Sequence, residues 1–304
     1  MTYQNIADLS VSRIAQGCMR IDRLSRSELD ALIRSDLDAG ISFFEHADIY
    51  GGNGRCEALF GDILRDDPAL REKMTLQTKC GIRPGQYDFS KEHILESVEG
   101  SLKRLGTEQV EFLVLHRPDT LVEPEEVAEA FAQLKEQGKV RHFGVSNHNS
   151  LQIALLNKYL DEPLVIDQLQ FGLGHTVLVD AGLNVNMKND ESVNRDASTL
   201  DYCRLHDITI QAWSPLQFGF IKGHFMGNSD YAELNAKLEE LGESYGITST
   251  AMAIAWILRH SAKIQPVVGS VNAQRMREIA KAAGVTITRK EWYDLYCATG
   301  KSLP

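Results

Sequence analysis

The sequence has no apolar run near the ~18 residues that a membrane-spanning helix requires. Its first ten residues, MTYQNIADLS, carry neither the basic segment nor the apolar stretch of a secretory leader. The five cysteines, at 18, 56, 80, 203 and 297, stand far apart, with no CxxC pair and no Cys/His cluster. That pattern argues against a disulfide framework or a bound metal, and for reduced thiols in a cytoplasmic protein. Positive charge is also short: the formal net charge of −10 repels a phosphate backbone, so nucleic acid is not an expected partner. A GxGxxG nucleotide fingerprint is missing too, since GCMRID after the first apolar run does not fit it.

What is present is an ordinary globular balance, 43% apolar and 24% charged residues over 304 positions, with no internal repeat. One domain over 1–304 is expected. Short β-rich runs alternate with helical patterns. The runs fall at 11–19, 41–47, 74–79, 110–116, 140–147, 164–170, 208–214 and 264–270. Between them, Ser25 and Ser90 read as helix caps, Gly40 as a stop, and Pro124 as a first-turn proline. Eight strands, most followed by a helix, are the number that closes a (β/α)8 TIM barrel. Two connections, 171–197 and 215–230, exceed the usual barrel loop and are candidates for a lid over the C-terminal face.

Polar residues at C-terminal strand ends line the mouth of such a barrel. Here they are Glu45 and Tyr50, Lys79, His116, Ser146 and Asn147, Gln168, Trp213 and Ser214, and Gly269 and Ser270. A phenol is a poor acid at neutral pH; a nearby ammonium lowers its pKa, and a carboxylate holds the ammonium. A histidine orients a carbonyl oxygen. Tyr50, Lys79, Glu45 and His116 therefore suit protonation of a carbonyl oxygen, with the hydride coming from a cofactor.

The stretches carrying these residues resemble the aldo-keto reductase family. EHADIYGG is similar to its DxAxxYG signature, and LQTKCG and LVLHRPD to its lysine and histidine strands. GVSN, Gln168, WSPLQFGFIKG and VVGSVNAQRMREI follow in the family's order. Bacterial oxidoreductases reading DHADIYGG are the nearest in pattern. The resemblance implies a (β/α)8 barrel, NADP(H) extended across the mouth, a small carbonyl substrate, and a monomer. It implies Tyr50 as general acid assisted by Lys79, with His116 orienting the carbonyl. It assigns Ser146, Asn147 and Gln168 to the carboxamide, Trp213 to the nicotinamide ring, and Ser214, Pro215, Leu216 and Gly219 to the pyrophosphate path. Ser270 and Arg275, with Gly269 beside them, would take the 2′-phosphate, and Glu278 the adenine; Gly17, Cys18 and Met19 would also lie along the cofactor. Substrate selection would come from Met19, Arg20, Tyr87, Phe171 and 171–197.

Two positions depart from the family pattern. Glu45 stands where the family has Asp, and Gly269 where many members have Lys. The first raises an alternative, a barrel that binds NADPH with little turnover. A metal-dependent hydrolase built on Glu45, His46, His116 and Asp119 has no HxH pair and leaves Lys79 and Tyr50 without a purpose.

Overall fold

Residues 3–219, 222–301 and 303 are described by a computed structural model. Eight parallel strands form the barrel: β1 (Ala15–Gly17), β2 (Phe43–Glu45), β3 (Thr75–Cys80), β4 (Val110–Leu115), β5 (Val140–Ser146), β6 (Ile166–Gln170), β7 (Thr209–Trp213) and β8 (Gln265–Val268). They pair in chain order, and β8 closes onto β1 with Val267 opposite Ala15. This is the (β/α)8 architecture.

The first run is split. Val11 and Ser12 belong to an antiparallel hairpin, Tyr3–Ile6 against Leu9–Ser12, and only Ala15–Gly17 joins the barrel. Ser12 Oγ accepts from the backbone amides of Ser42 and Phe43, at 3.1 and 3.2 Å. Ile6 and Val11 pack with Phe43, Phe112 and Ile166, so the hairpin plugs the N-terminal end. Of the other seven runs, that at 74–79 forms a strand of equal length shifted by one residue, and the rest form strands one to four residues shorter than the apolar pattern, the usual fraying of pattern edges.

Side chains alternate across each strand. On β2, Phe43 joins the inner core and Phe44 the layer under the helices. Glu45 is therefore turned inward again, as are Gln77 and Lys79 on β3. The helices begin where their sequences allow. Ser25 forms a capping box with Glu28, Ser90 accepts from the His93 amide, and Pro124 opens its helix. Gly106, at φ 67°, ends the helix Lys91–Leu105. Among the described residues no helix is long and apolar enough to cross a membrane.

Candidate active site

Just past β2 the chain turns over the end of β3. His46 and Asp48 donate backbone amides to the Gln77 and Lys79 carbonyls, at 2.8 and 2.9 Å. A further bond, Tyr50 amide to Ala47 carbonyl at 3.1 Å, brings the phenol back over the barrel axis. Tyr50 Oη donates to Glu45 Oε1 at 3.1 Å. Lys79 Nζ donates to the same oxygen and to the His46 carbonyl at 2.9 Å. It also lies 4.7 Å from the Tyr50 ring centre. The His116 ring meets Tyr50 edge-on, 6.0 Å between centroids. The four side chains proposed from sequence thus converge, Glu45 and Lys79 fully buried and Tyr50 half-buried.

Burial sets the proton affinities. It pushes the Tyr50 phenol above its usual value, with Cys18, Cys56 and Asp48 adding to it. That is the opposite of the lowering expected from Lys79. Burial also pulls the Lys79 ammonium down, against which the Glu45 pair holds the charge. His116 is held far below the usual histidine value by burial, then by Lys79 and Arg117, so it is neutral at physiological pH. His116 Nδ1 is buried without a hydrogen-bond partner.

Above this cluster opens a cavity of about 910 Å³. Its lining includes Glu45, Tyr50, His116, Ser146, Asn147, Gln168, Trp213, Ser214, Pro215, Leu216, Gly269, Ser270 and Arg275, which the sequence singled out. Gly17 is lining as well, and its lack of a side chain shapes the floor. A Cβ there would come 3.2 Å from Val267 and 3.5 Å from Glu45 Oε2. Asn147 and Ser214 adopt left-handed conformations, φ 61° and 47°, at the rim. Such strained residues concentrate at binding sites. Trp213 Nε1 donates to Asn147 Oδ1 at 3.1 Å, Asn147 Nδ2 to Ser146 Oγ at 2.8 Å, and Ser146 Oγ to the Gln168 carbonyl at 2.8 Å. One chain of bonds therefore fixes the ring, amide and hydroxyl.

Gln168 Nε2 gives its hydrogens to Glu45 Oε1 at 3.4 Å and Gln211 Oε1 at 3.0 Å. Its own Oε1 is left as an acceptor on the cavity wall. Behind it lies an amide chain. Gln77 Nε2 also donates to Gln211 Oε1, Gln211 Nε2 to Gln265 Oε1, both at 2.9 Å, and Gln265 Nε2 to the Ser12 carbonyl at 2.7 Å.

Several expected residues lie elsewhere. Cys18 is buried in the helix-side core, its thiol directed at the Gln16 carbonyl. The Gly219 carbonyl accepts from Gln170 Nε2 at 2.7 Å, and Glu278 pairs with Lys281. None of the three lines the cavity. Phe171 is fully buried against Trp256, ring centres 5.2 Å apart. The 171–197 segment contributes nothing to the lining either, because Asp180 fastens it to Tyr296 Oη at 3.0 Å and Lys301 Nζ at 2.8 Å. The 215–230 segment does overhang the cavity, through Leu216, Gln217, His224 and Met226. Phe220 and Ile221, within it, lie outside the described residues.

Arg20 is the addition that sequence reading placed differently. Its Nη1 donates to the Gly269 carbonyl at 3.3 Å, and lies 3.5 Å from where a Gly269 Cβ would be. The space left by the missing side chain just past β8 is filled by a guanidinium from the loop after β1. The two positions are 249 residues apart, and no local signal links them.

Of the residues of the metal alternative, Asp119 and His46 do not join Glu45 and His116 at the cavity. Asp119 accepts from the Phe89 and Leu121 amides, and His46 faces Phe60 in the helix layer, kept neutral by burial with its pKa down to about 3. Among the described residues no cluster of three His, Cys, Asp or Glu could hold a metal ion.

A family model described as "Aldo/keto reductase family" matches residues 13–296. The chain is 38% identical to the uncharacterized oxidoreductase YcsN of Bacillus subtilis (strain 168), covering 98% of this chain and 97% of that protein. It is 37% identical to a 6-dehydroglucose reductase of Agrobacterium fabrum, with 97% of both covered. In fold it resembles the crystal structure of the thermostable aldo-keto reductase Tm1743 in complex with the inhibitor epalrestat. The TM-score is 0.77 at 22% identity, over 98% of this chain and 100% of that one.

Proposed function

The chain belongs to the aldo/keto reductase family, and from that premise we propose that it reduces small aldehydes or ketones with NADPH, Tyr50 giving the proton. The observation that carries this is the convergence of Tyr50, Glu45 and His116 on one cavity, with Lys79 bonded to Glu45 behind them. When bound, the reduced nicotinamide supplies hydride to the carbonyl carbon.

The residues fit such a guest. The face of Trp213 is pinned by Asn147. Gln168 offers an acceptor to a carboxamide because its donors are already committed. Gly17 keeps the floor open beside Glu45. At the other end, Ser270 and Arg275 flank the start of the helix Ala273–Ala280, a setting that favours phosphate. Arg20 adds a cation beside Gly269, in place of the lysine many relatives carry there.

Neutral His116 orients the carbonyl oxygen toward Tyr50. Tyr50 Oη then passes its proton to that oxygen, giving the alcohol. The resulting phenolate lies beside Lys79, whose ammonium is shared with Glu45 and offsets both anions. A reaction in the family's usual direction thus uses Lys79 mainly to stabilise what Tyr50 becomes.

One contact favours a second reading. Tyr50 Oη already donates to Glu45, so the carboxylate competes with substrate for the proton. A protein that binds NADPH tightly and turns over slowly would follow. The test is NADPH oxidation with a panel of aldehydes, dicarbonyls and quinones, with Tyr50→Phe as control. Turnover lost in that variant supports the reductase. Negligible turnover by a protein that binds NADPH in calorimetry refutes it and supports the second reading.

A further inference from the structure

The loop that delivers Tyr50 has little to hold it from within. Gly51, Gly52, Asn53 and Gly54 all lie in the left-handed region, with φ between 52° and 77°. Three glycines in such a run leave the segment little stiffness of its own. Its near end is tied to β3 through the backbone, His46 and Asp48 donating to the Gln77 and Lys79 carbonyls. Its far end runs into the helix Arg55–Asp66, and the Cys56 amide donates back to the Tyr50 carbonyl at 3.2 Å. The phenol therefore hangs from the first turn of that helix, and the placement of this turn bears on the acid.

Glu57 governs that placement. It follows Cys56, is fully buried, and has both carboxylate oxygens engaged. Thr78 Oγ1 donates to Oε1, and Arg104 Nε donates to Oε2 at 2.8 Å. Thr78 directly precedes Lys79 on β3, its side chain on the opposite face of the strand. One carboxylate thus joins the turn that carries the phenol to the strand that carries the ammonium. Arg104 comes from the helix Lys91–Leu105 and closes the arrangement from outside. A Cβ on Gly54 would overlap its Nε, so the loop has a glycine where the guanidinium passes. Apolar neighbours such as Phe60 and Leu64 also hold the helix Arg55–Asp66, but apolar burial is non-directional, whereas a hydrogen bond fixes distance and angle between two elements. Glu57, Thr78 and Arg104 do not line the cavity, and the proposed proton transfer makes no use of them.

We propose that Glu57 is a positioning residue for the reduction: by bonding Thr78 it holds the Tyr50 hydroxyl in place beside Lys79, where the carbonyl oxygen of the substrate meets it. This rests on the carbonyl-reductase reading and adds to it side chains that never touch substrate or cofactor. The stake in rate is large, since misplacing a catalytic group by about 1 Å can cost about 100-fold.

Thr78→Val removes the bond and nearly keeps the shape; Glu57→Gln keeps the shape and removes the charge that Arg104 meets. The measurement is the single-turnover rate of NADPH oxidation with 4-nitrobenzaldehyde, which slow product release cannot mask. Each variant should slow this step about tenfold or more, while the dissociation constants of aldehyde and NADPH change by less than about twofold. Thr78→Ser, which restores the hydroxyl, should recover most of the rate. The control is Glu111 on β4, a carboxylate toward the other end of the barrel that accepts from Arg71 Nη2 at 2.8 Å and from the Leu76 amide at 2.7 Å. Glu111→Gln should lower the melting temperature and leave the rate as it was. Should Glu57→Gln fail to fold, the two Thr78 variants decide alone. An unchanged rate in Thr78→Val, no recovery in Thr78→Ser, or an equal loss in Glu111→Gln overturns the proposal.

A spectroscopic readout covers the outcome in which nothing turns over. In protein isotope-labelled at the tyrosine Cζ, the Tyr50 resonance is identified by its absence in Tyr50→Phe. That resonance should move in Thr78→Val and return in Thr78→Ser, with the other tyrosine resonances in place. A Tyr50 resonance that stays put in Thr78→Val overturns the proposal independently of catalysis. A resonance that moves in a protein without turnover instead defeats the reductase reading and leaves the placement of Tyr50 by Glu57 standing.

Discussion

Replacing Glu45 by Gln keeps the shape of the side chain and removes its charge, and the structure sets what should follow. Lys79 is 0% and the Glu45 side chain 3% exposed, so no water takes over when the pair is broken. Removing one partner of a buried pair costs about 3–5 kcal/mol, because an uncompensated charge stays behind. Lys79 keeps one bond, to the His46 carbonyl, and that favours the lower end, about 3 kcal/mol. Lys79→Met should cost a similar amount by stranding the carboxylate. The double variant then loses about 3 kcal/mol in all, so the coupling energy is about 3 kcal/mol rather than the few tenths of independent sites. Urea unfolding at pH 7 reads this as a midpoint shift of roughly 1 M at an m-value of about 3 kcal/mol/M. The pH dependence gives a second check. In Glu45→Gln the carboxylate no longer opposes the burial that lowers the Lys79 pKa, and only the weaker influence of Cys18 still does. The folded state then binds fewer protons than the unfolded state up to the ordinary lysine value, and stability rises with pH across that window. The deficit should therefore shrink between pH 7 and 10. Additive single-variant losses, or a deficit independent of pH, would refute the view that this pair is what keeps the barrel mouth assembled.

Other expectations follow from single contacts. Asp36 is fully buried, with neither carboxylate oxygen hydrogen-bonded, and burial raises its pKa to about 8. The folded state retains a proton that the unfolded state gives up above ~4, so stability should fall from pH 4 to 8; Asp36→Asn should gain on the unaltered protein in melting temperature between pH 5 and pH 9, and a constant gap would disprove it. Gly61 packs against the end of the helix Lys91–Leu105, and a Cβ there would meet the Arg104 carbonyl oxygen at 2.0 Å. Gly61→Ala should cost about 3 kcal/mol or more in urea unfolding. Arg20→Met and Arg275→Met should each weaken NADPH binding about tenfold in calorimetry, with a smaller effect of Arg275→Met on NADH; equal effects on both cofactors would remove Arg275 from the 2′-phosphate.

The strands were legible because each apolar run ends in a helix cap or turn that the chain honours, as at Ser25, Ser90 and Pro124. Glu45, Lys79, His116 and Gln168 were legible because polar residues closing a buried strand have few places to point. What stayed hidden depends on distant partners. The run at 11–19 looks continuous, and only Ser12 bonding across to Ser42 and Phe43 divides it between hairpin and barrel. Composition makes 171–197 a candidate lid, yet Asp180 binds it to residues 296 and 301 and holds it off the cavity. Arg20 gave no sign of filling the gap at Gly269, since that contact exists only once β8 lies beside β1.

The amide chain through the barrel has a consequence for how the interior is specified. A glutamine side chain has nearly the same outline either way round, so shape alone leaves each orientation open. Here both ends of the chain are acceptors, the Glu45 carboxylate at the mouth and the Ser12 carbonyl at the plugged end. Turning Gln265 would set oxygen against the Ser12 oxygen; turning Gln211 would bring its nitrogen against the nitrogens of Gln77 and Gln168. Each mismatch propagates to the next amide, and none is repaired before an end is reached. The direction in which Gln168 presents its oxygen to the cavity is thus held from both ends, by the Glu45 carboxylate beside it and by a main-chain carbonyl on the opposite side of the barrel. Replacing the Gln265 side chain, with every backbone atom left in place, would cut that link and leave the Glu45 carboxylate alone to hold the polarity of the wall facing the ligand.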